Sequence, residues 1–394
     1  MAFAKADKGQ IVKVRKIRVK AEKLVGVPFG ARFRMDRSNL IPIEEPEIPA
    51  AAAAAASSAQ IKSDTPSSDP NKKDNRLLDD TNTAQALSME EIKEMKKAGI
   101  DVVDKLISNS KTFESKTKFA QEKYIKRKKR KHETIIRILE CNEMTICRAM
   151  YKRQALKTCY LREDSLAQLL SYSSIHARCN VAVVESCGGL LVGSIARRLA
   201  GHGSIVNIFL GTQPSLHAIQ RFNLDAKSSS AVTNIPFCKL DEVCSISHGE
   251  ALKAAAEAAA KAEQETTEDA PRRKLQVSSV AEARIALGEN MADCFLMAAH
   301  SEVESTFLGV LPALGCGSTF AIFCSFPSPL ADLMSTLKEK KLAARLMLSE
   351  TFTREYKVQP GVTHPHMNMD AAAGFILSGT VVRPDERIGP ARPT

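Results

Sequence analysis

The stretch Val181-Ala-Val-Val-Glu185-Ser-Cys187-Gly188-Gly189-Leu-Leu191-Val-Gly193 decides the fold. Four apolar residues end on an acid, two glycines follow, and an apolar-faced run continues to about 200. Such a succession predicts a buried strand, a tight turn and a helix. The same alternation extends on both sides. Strand-like apolar runs stand at 181–184, 204–210, 232–237, 294–299, 318–325, 344–349 and 374–382. Helical patterns occupy about 164–172, 189–200, 214–221, 277–288, 303–312 and 328–341. Strands alternating with helices predict an α/β fold with a parallel sheet covered on both faces. No helical pattern separates the last two strands, so an antiparallel pair is expected at one edge. Residues 249–275, Ala-rich and then acidic, read as an insertion with a helical Ala-rich part left outside the core.

In a doubly wound fold the turn after the first strand cradles a cofactor, and glycines leave room for it. A dinucleotide turn, G-x-G-x-x-G, needs glycine at 187, 189 and 192; only position 189 has one. A methyl-donor turn, acid-x-G-x-G-x-G, needs an acid at 185 and glycine at 187, 189 and 191. Glu185 and Gly189 fit, whereas Cys187 and Leu191 do not. The ribose of such a cofactor is held by an acid about 20 residues further on. No Asp or Glu occurs from 186 to 224, and Asn207 offers only a weaker bond. Amino-methylating sites carry Asp or Asn with prolines after the fourth strand; here the tip is Ala298-Ala299-His300. These three departures predict a degenerate cofactor site at Glu185, Cys187, Gly188, Gly189 and Leu191, with no catalytic residue. His300 alone could serve as a base, but a lone His in a loop more often has no such role, and Cys187 lacks a His/Asp constellation and reads as a filler residue. His364-Pro-His366 supplies two ligands without further partners, too few for a metal.

The 394 residues carry 56 Lys+Arg and 45 Asp+Glu, a net charge of +11. Residues 1–150 hold 31 and 21 of these, so +10 lies in that part. Such an asymmetry points to a polyanion. Its sharpest feature is Lys126-Arg127-Lys128-Lys129-Arg130-Lys131, at the end of a helix expected over about 116–131. Six consecutive residues point all round a helix, so this one is not buried. The run reads as a phosphate-binding segment, as a nuclear import signal, or as both. Lys123 and, less directly, Arg354 join it as candidate phosphate contacts; Arg354 reads equally well as a partner of Glu350. A capping box at Ser88-Met-Glu-Glu91 starts an earlier helix. Short strands broken by Gly and Pro over 10–45 predict a small β-domain. Residues 46–86 read as a disordered linker. The expected organisation is therefore a β-domain over 1–45, a linker over 46–86, a basic helical connector over 87–132 and the α/β domain over 133–385. Thr134 to Leu139, at its start, reads as a strand. No apolar run of 18 residues predicts a membrane-spanning helix, and the first residues lack a signal-peptide core. Ten isolated Cys with no C-x-x-C pair read as reduced thiols.

Several motifs together resemble one family. They are Thr112-Phe113, Lys118-Phe-Ala-Gln-Glu-Lys123-Tyr124-Ile-Lys126, Arg162-x-Asp164-Ser-Leu166, Glu185-Ser-Cys187-Gly188-Gly189, and Gly201-x-Gly203-Ser-Ile205. Leu348-Ser-Glu350-Thr351-x-x-Arg354-x-Tyr356 and Leu377-Ser-Gly379 complete the set. The chain resembles the non-catalytic, RNA-binding subunit of the tRNA (adenine-58-N1)-methyltransferase over about 88–382, and more weakly over 24–35. The resemblance implies a small N-terminal β-barrel and a Rossmann-like class I methyltransferase domain. It implies a heterotetramer in the nucleus with a catalytic paralogue that binds S-adenosylmethionine, and tRNA as substrate; this chain is then expected to bind no cofactor itself. The N-terminal β-domain here is short, so the barrel is expected to be incomplete. Two other readings compete: an active S-adenosylmethionine-dependent enzyme with a divergent loop, and a scaffold that never touches RNA.

Overall fold

A computed structural model describes residues 11–14, 17–36, 39–43, 87–98, 102–110, 112–114, 118–262, 277–358, 363–369 and 371–382. The chain divides into two compact units, one of residues 2–140 with 358–363 and one of residues 141–357 with 364–394.

In the first unit, β1 (Ile11–Val14) and β2 (Ile17–Lys20) pair as an antiparallel ribbon. A second sheet has the order β4-β3-β5, from β3 (Arg32–Asp36), β4 (Asn39–Pro42) and β5 (Thr134–Arg137). The described strands thus form two separate small sheets and no closed barrel. The position of β5 corrects a boundary. The sequence pattern predicts that Thr134–Arg137 opens the α/β domain, but it runs antiparallel to Arg32–Met35 in the small sheet. The physical reason is pairing. Its backbone groups bond to a strand about a hundred residues upstream, a partner that local periodicity does not encode. Three helices accompany these sheets: Met89–Ala98, Val102–Ser108 and Lys118–His132. The capping box forms as the sequence predicts. Ser88 Oγ accepts from the Glu91 N–H at 3.2 Å, and a Glu91 carboxylate oxygen accepts from the Ser88 N–H at 2.8 Å. The linker expected over 46–86 lies outside the described residues.

The second unit is built on seven strands: β6 (Asn180–Glu185), β7 (Ser204–Phe209), β8 (Val232–Pro236), β9 (Ala292–Ala298), β10 (Leu314–Cys324), β11 (Ala343–Phe352) and, after the two-residue strands β12 (Tyr356–Lys357) and β13 (His364–Pro365), β14 (Ala372–Val381). Their order across the sheet is β11-β14-β10-β9-β6-β7-β8. The pairs from β8 to β10 are parallel, and β14 runs antiparallel to both β10 and β11. Counted within this domain the order is 3-2-1-4-5-7-6, with the seventh strand reversed. That is the Rossmann-like class I methyltransferase sheet. Its central strands are buried on both faces, as parallel strands are. Val181 and Val183 of β6 pack into one core with Leu166, Leu169 and Ile195. Ala182 and Val184 point the other way, toward Val206, Phe295 and Leu330. The second core is centred on Phe307, whose ring lies 5.7 Å from Phe295 and 4.8 Å from Phe320.

Two helical expectations change. The helix expected over 214–221 is a single 3-10 turn at Ile219–Arg221; residues 210–213 bend and 214–216 run as irregular loop, where Pro214 has no N–H to donate. A helix at Glu143–Gln154, which the sequence reading omits, precedes Glu163–Tyr172 and is capped by Asn142 and Thr145. The Ala-rich part of the insertion is the helix His248–Ala262, with Ala251 buried; residues 263–276 lie outside the described residues.

Candidate functional site

The cofactor turn lies between β6 and the helix Leu190–Leu199. Gly188 and Gly189 take φ of +72° and +90°, a left-handed turn that side chains resist. In a cofactor-binding domain the space above such glycines is open. Here the loop after β7 fills it. The Ala218 N–H donates to the Gly188 carbonyl at 2.8 Å, which clamps that loop onto the turn. A Cβ on Gly188 would collide with the His217 ring, and one on Gly189 would come within 2.9 Å of Leu216 Cα. Leu191 and Leu216 are both buried. The residues present do not fit S-adenosylmethionine, since the chain itself occupies the room above the glycines.

Glu185, the one acidic residue that matches the methyl-donor pattern, has a structural partner instead. Its carboxylate accepts from the N–H of Leu191 at 2.9 Å and of Val192 at 3.4 Å. It thereby satisfies donors at a helix start that would otherwise have no acceptor. Burial pushes its pKa up to about 7, against the opposing pull of those N–H groups. Cys187 is buried, and its Sγ lies 3.5 Å from the Ala298 carbonyl. The neighbouring Cys159, then burial, raises its pKa well above the thiol range, so it is no nucleophile. Asn207, the weaker ribose candidate, is buried in the sheet and donates its amide N–H to Asn234 Oδ1 at 2.9 Å. His300 is exposed, and its Nε2–H donates to the Leu156 carbonyl at 2.8 Å. It borders an open cavity of about 1090 Å³ at the carboxyl ends of β9 and β10. His364 is exposed on β13 and His366 follows it. Among the described residues no group of three or more His, Cys, Asp and Glu is placed to hold a metal.

The basic run occupies the second half of the helix Lys118–His132. Lys123, Lys126, Arg127, Lys129 and Lys131 are exposed and Lys128 is half-buried; the Arg130 side chain lies outside the described residues. No carboxylate pairs with Lys123, Lys126, Lys129 or Lys131 among the described residues. Tyr124 anchors the helix. Its ring packs on Phe113 with centroids 5.7 Å apart, and Gln121 donates to the Phe113 carbonyl at 3.0 Å. Lys128 Nζ sits 5.1 Å and Arg127 Cζ 5.9 Å from the Tyr124 ring centre. Among the described residues these two cations therefore meet a π face and no acid. Arg354 is exposed in the other unit, after β11, and makes no ion pair with Glu350 among the described residues.

Other motif residues hold the fold together. Arg162 donates twice to Asp164, at 2.6 and 2.5 Å, and once to the Ala371 carbonyl at 2.9 Å. Thr353 Oγ1 donates to the same carboxylate at 2.7 Å, and buried Ser165 and Thr351 share a hydrogen bond of 2.7 Å. This network ties the helix Glu163–Tyr172 to β11 and to the start of β14. Sequence reasoning passed over one signal near it. From 144 to 162 the chain has five cations, at 148, 152, 153, 157 and 162, and no acid.

Sheet order and filled turn together define a methyltransferase-like domain that lacks room for the cofactor of its class. The chain belongs to the Gcd10p family, which residues 1–277 match. It is 33% identical over 338 residues to a Dictyostelium discoideum protein named tRNA (adenine(58)-N(1))-methyltransferase non-catalytic subunit trm6, covering 79% of this chain and 64% of that one. The Mus musculus protein of the same name is 30% identical over 378 residues, covering 81% of this chain and 76% of the other. Among solved structures, a SAM-dependent O-methyltransferase from Thermotoga maritima aligns over 65% of this chain and 76% of its own, with a TM-score of 0.41 and 15% identity.

Proposed function

We propose that this chain is the non-catalytic, tRNA-binding subunit of a tRNA (adenine-58-N1)-methyltransferase. The observation that carries the reading is the filled glycine turn inside an intact methyltransferase sheet, in a chain whose relatives are named for that subunit. A domain of this shape pairs with a paralogue of the same fold that binds S-adenosylmethionine and does the chemistry. In this reading the two form a heterotetramer in the nucleus. The present chain holds the tRNA through phosphates laid against Lys123, Lys126, Arg127, Lys128, Lys129, Arg130 and Lys131, with Arg354 as a further contact. An active enzyme with a divergent loop is disfavoured, because Leu216 and His217 stand where its cofactor would lie.

The test is methyl transfer to tRNA by this chain alone, by the catalytic paralogue alone and by both. Activity only with both is expected. Activity of this chain alone would overturn the reading, and full activity of the paralogue alone would reduce this chain to a scaffold. Neutralising Lys126 to Lys131 in the assembled complex is expected to weaken tRNA binding and flatten its salt dependence. Each lost phosphate contact removes about 0.7–0.9 from the slope of log K against log salt. An unchanged slope would leave the run as an import signal only.

A further inference from the structure

We propose that the cavity at the carboxyl ends of β9 and β10 receives an unstacked nucleobase of the bound tRNA, with neighbouring phosphates on Lys152, Arg153 and Lys157. The inference rests on the tRNA-binding reading above and gives that role a site on the large domain. In open α/β sheets the crevice outside the carboxyl ends of the strands is where ligands sit. This chain has closed the half of that crevice above Gly188 and Gly189 but keeps the other half open, at about 1090 Å³.

Two properties of the open half select the occupant. The first is exposed aromatic surface. Phe326 and Tyr160 line the cavity while 70% and 47% exposed. Flat rings left bare to water are platforms for bases, which every nucleotide can cover with a π face. The second is charge. Among the described residues no Asp or Glu lines the cavity. Its wall continues into the segment 144–162, where Arg148 pairs with Glu163 and Arg162 with Asp164. The three remaining cations, Lys152, Arg153 and Lys157, are exposed and have no carboxylate partner among the described residues. They alternate along the chain with the cavity residues Tyr151, Leu156 and Tyr160. Aromatic platforms interleaved with free cations match a single-stranded polyanion; an apolar peptide would leave the cations unused.

The experiment uses the full chain assembled with its catalytic partner and an unmodified tRNA transcript, with binding measured at several salt concentrations. Phe326→Ala and Tyr160→Ala truncate exposed rings, so the core is untouched. Each is expected to weaken binding roughly 5- to 100-fold without changing the salt slope, the cost of one stacking platform. The triple variant Lys152→Ser, Arg153→Ser, Lys157→Ser is expected to reduce the slope by about 2. Chemical probing of the bound tRNA should find a base that is protected with the wild-type chain and reactive with Phe326→Ala. Wild-type affinity and slope in all these variants would overturn the inference. If neutralising Lys126 to Lys131 still weakened binding, the tRNA reading would survive that failure; if not, both would fall. Loss of the partner subunit from Phe326→Ala on gel filtration, with tRNA contacts otherwise intact, would make the cavity a protein-docking site and equally overturn it.

Discussion

The substitution Glu185→Gln separates a structural carboxylate from a cofactor ligand. Glu185 lies under the first turn of the helix Leu190–Leu199, and burial lifts its pKa from 4.5 to about 7. Between those two values the folded chain holds a proton that the unfolded chain has released. Stability therefore falls as pH rises through that window, by about 1.36 kcal/mol for each pH unit crossed. Crossing the whole window corresponds to about 3 kcal/mol; the residue keeps some solvent access, which brings the figure toward ~2 kcal/mol. Below pH 4.5 the group is neutral in both states, and above 7 it is charged in both, so the loss is then complete. Glutamine keeps an acceptor for the Leu191 N–H and has nothing to titrate. The assay is urea unfolding of the full chain and of Glu185→Gln at half-unit steps from about pH 4.5 to 8. Other carboxylates contribute equally to both proteins and cancel in the difference. The variant is expected to gain about 2–3 kcal/mol on the wild type between about pH 5 and pH 8. Parallel curves for the two proteins would refute the reasoning, since the carboxyl would then titrate at its ordinary value. Methyl transfer by the assembled complex should be unaffected.

Two further outcomes are expected. Gly189→Ala puts a side chain into a left-handed turn 2.9 Å from Leu216 Cα, and should cost about 2 kcal/mol or more, read as a fall of roughly 5 °C or more in Tm by calorimetry. Asp164→Asn removes the charge and one of the two carboxylate oxygens that Arg162 and Thr353 share, at about 1–2 kcal/mol near pH 7 by chemical denaturation. Burial opposes ionisation of Asp164, but Arg162 and Thr353 together hold its pKa below the usual range. Its contribution is thus present above that range and lost as pH falls through the lowered pKa, so the variant and the wild type should converge in acid.

The large sheet was legible because its strands are continuous apolar runs that are buried on both faces, as Val181 to Val184 illustrates. Thr134–Arg137 carries an equally clear strand pattern, yet its pattern names no partner, and it pairs with Arg32–Met35. The helix Glu143–Gln154 escaped notice because its cap is Asn142 with Thr145 rather than a Ser/Glu box, and its buried face is short: Ile146, Cys147, Ala149 and Met150. At the site, the missing glycines and the missing acid were countable. What fills the gap was not, because Leu216 and His217 come from a loop beyond the next strand and carry no pattern of their own. The basic run was obvious, but the support of Arg127 and Lys128 by Tyr124 needs the ring's placement.

The turn also explains which of its residues match the cofactor pattern and which do not. Gly188 and Gly189 set a backbone path, with positive φ and other chain segments pressed against both. Glu185 caps the start of the helix Leu190–Leu199, whose N–H groups have no other acceptor within the helix. These three residues serve the strand–turn–helix connection whether or not a cofactor is bound. Cys187 and Leu191 have only side-chain volume to offer, and both are fully buried, in space a methyl donor's turn would leave empty. A pattern that matches where the backbone is shaped and departs where the ligand would lie is what folding alone requires of this segment. The same logic assigns Arg162 and Asp164 to architecture, because Asp164 accepts from both Arg162 and Thr353 while Arg162 also donates to the Ala371 carbonyl, which joins three segments of the domain. It leaves the cations of the helix Lys118–His132 and of the segment around Lys152 to Lys157 that have no carboxylate partner among the described residues as the ones whose chemistry the described fold does not use. Exposed positive charge of that kind, on a chain with its cofactor space filled, is what the proposed tRNA-binding role would use.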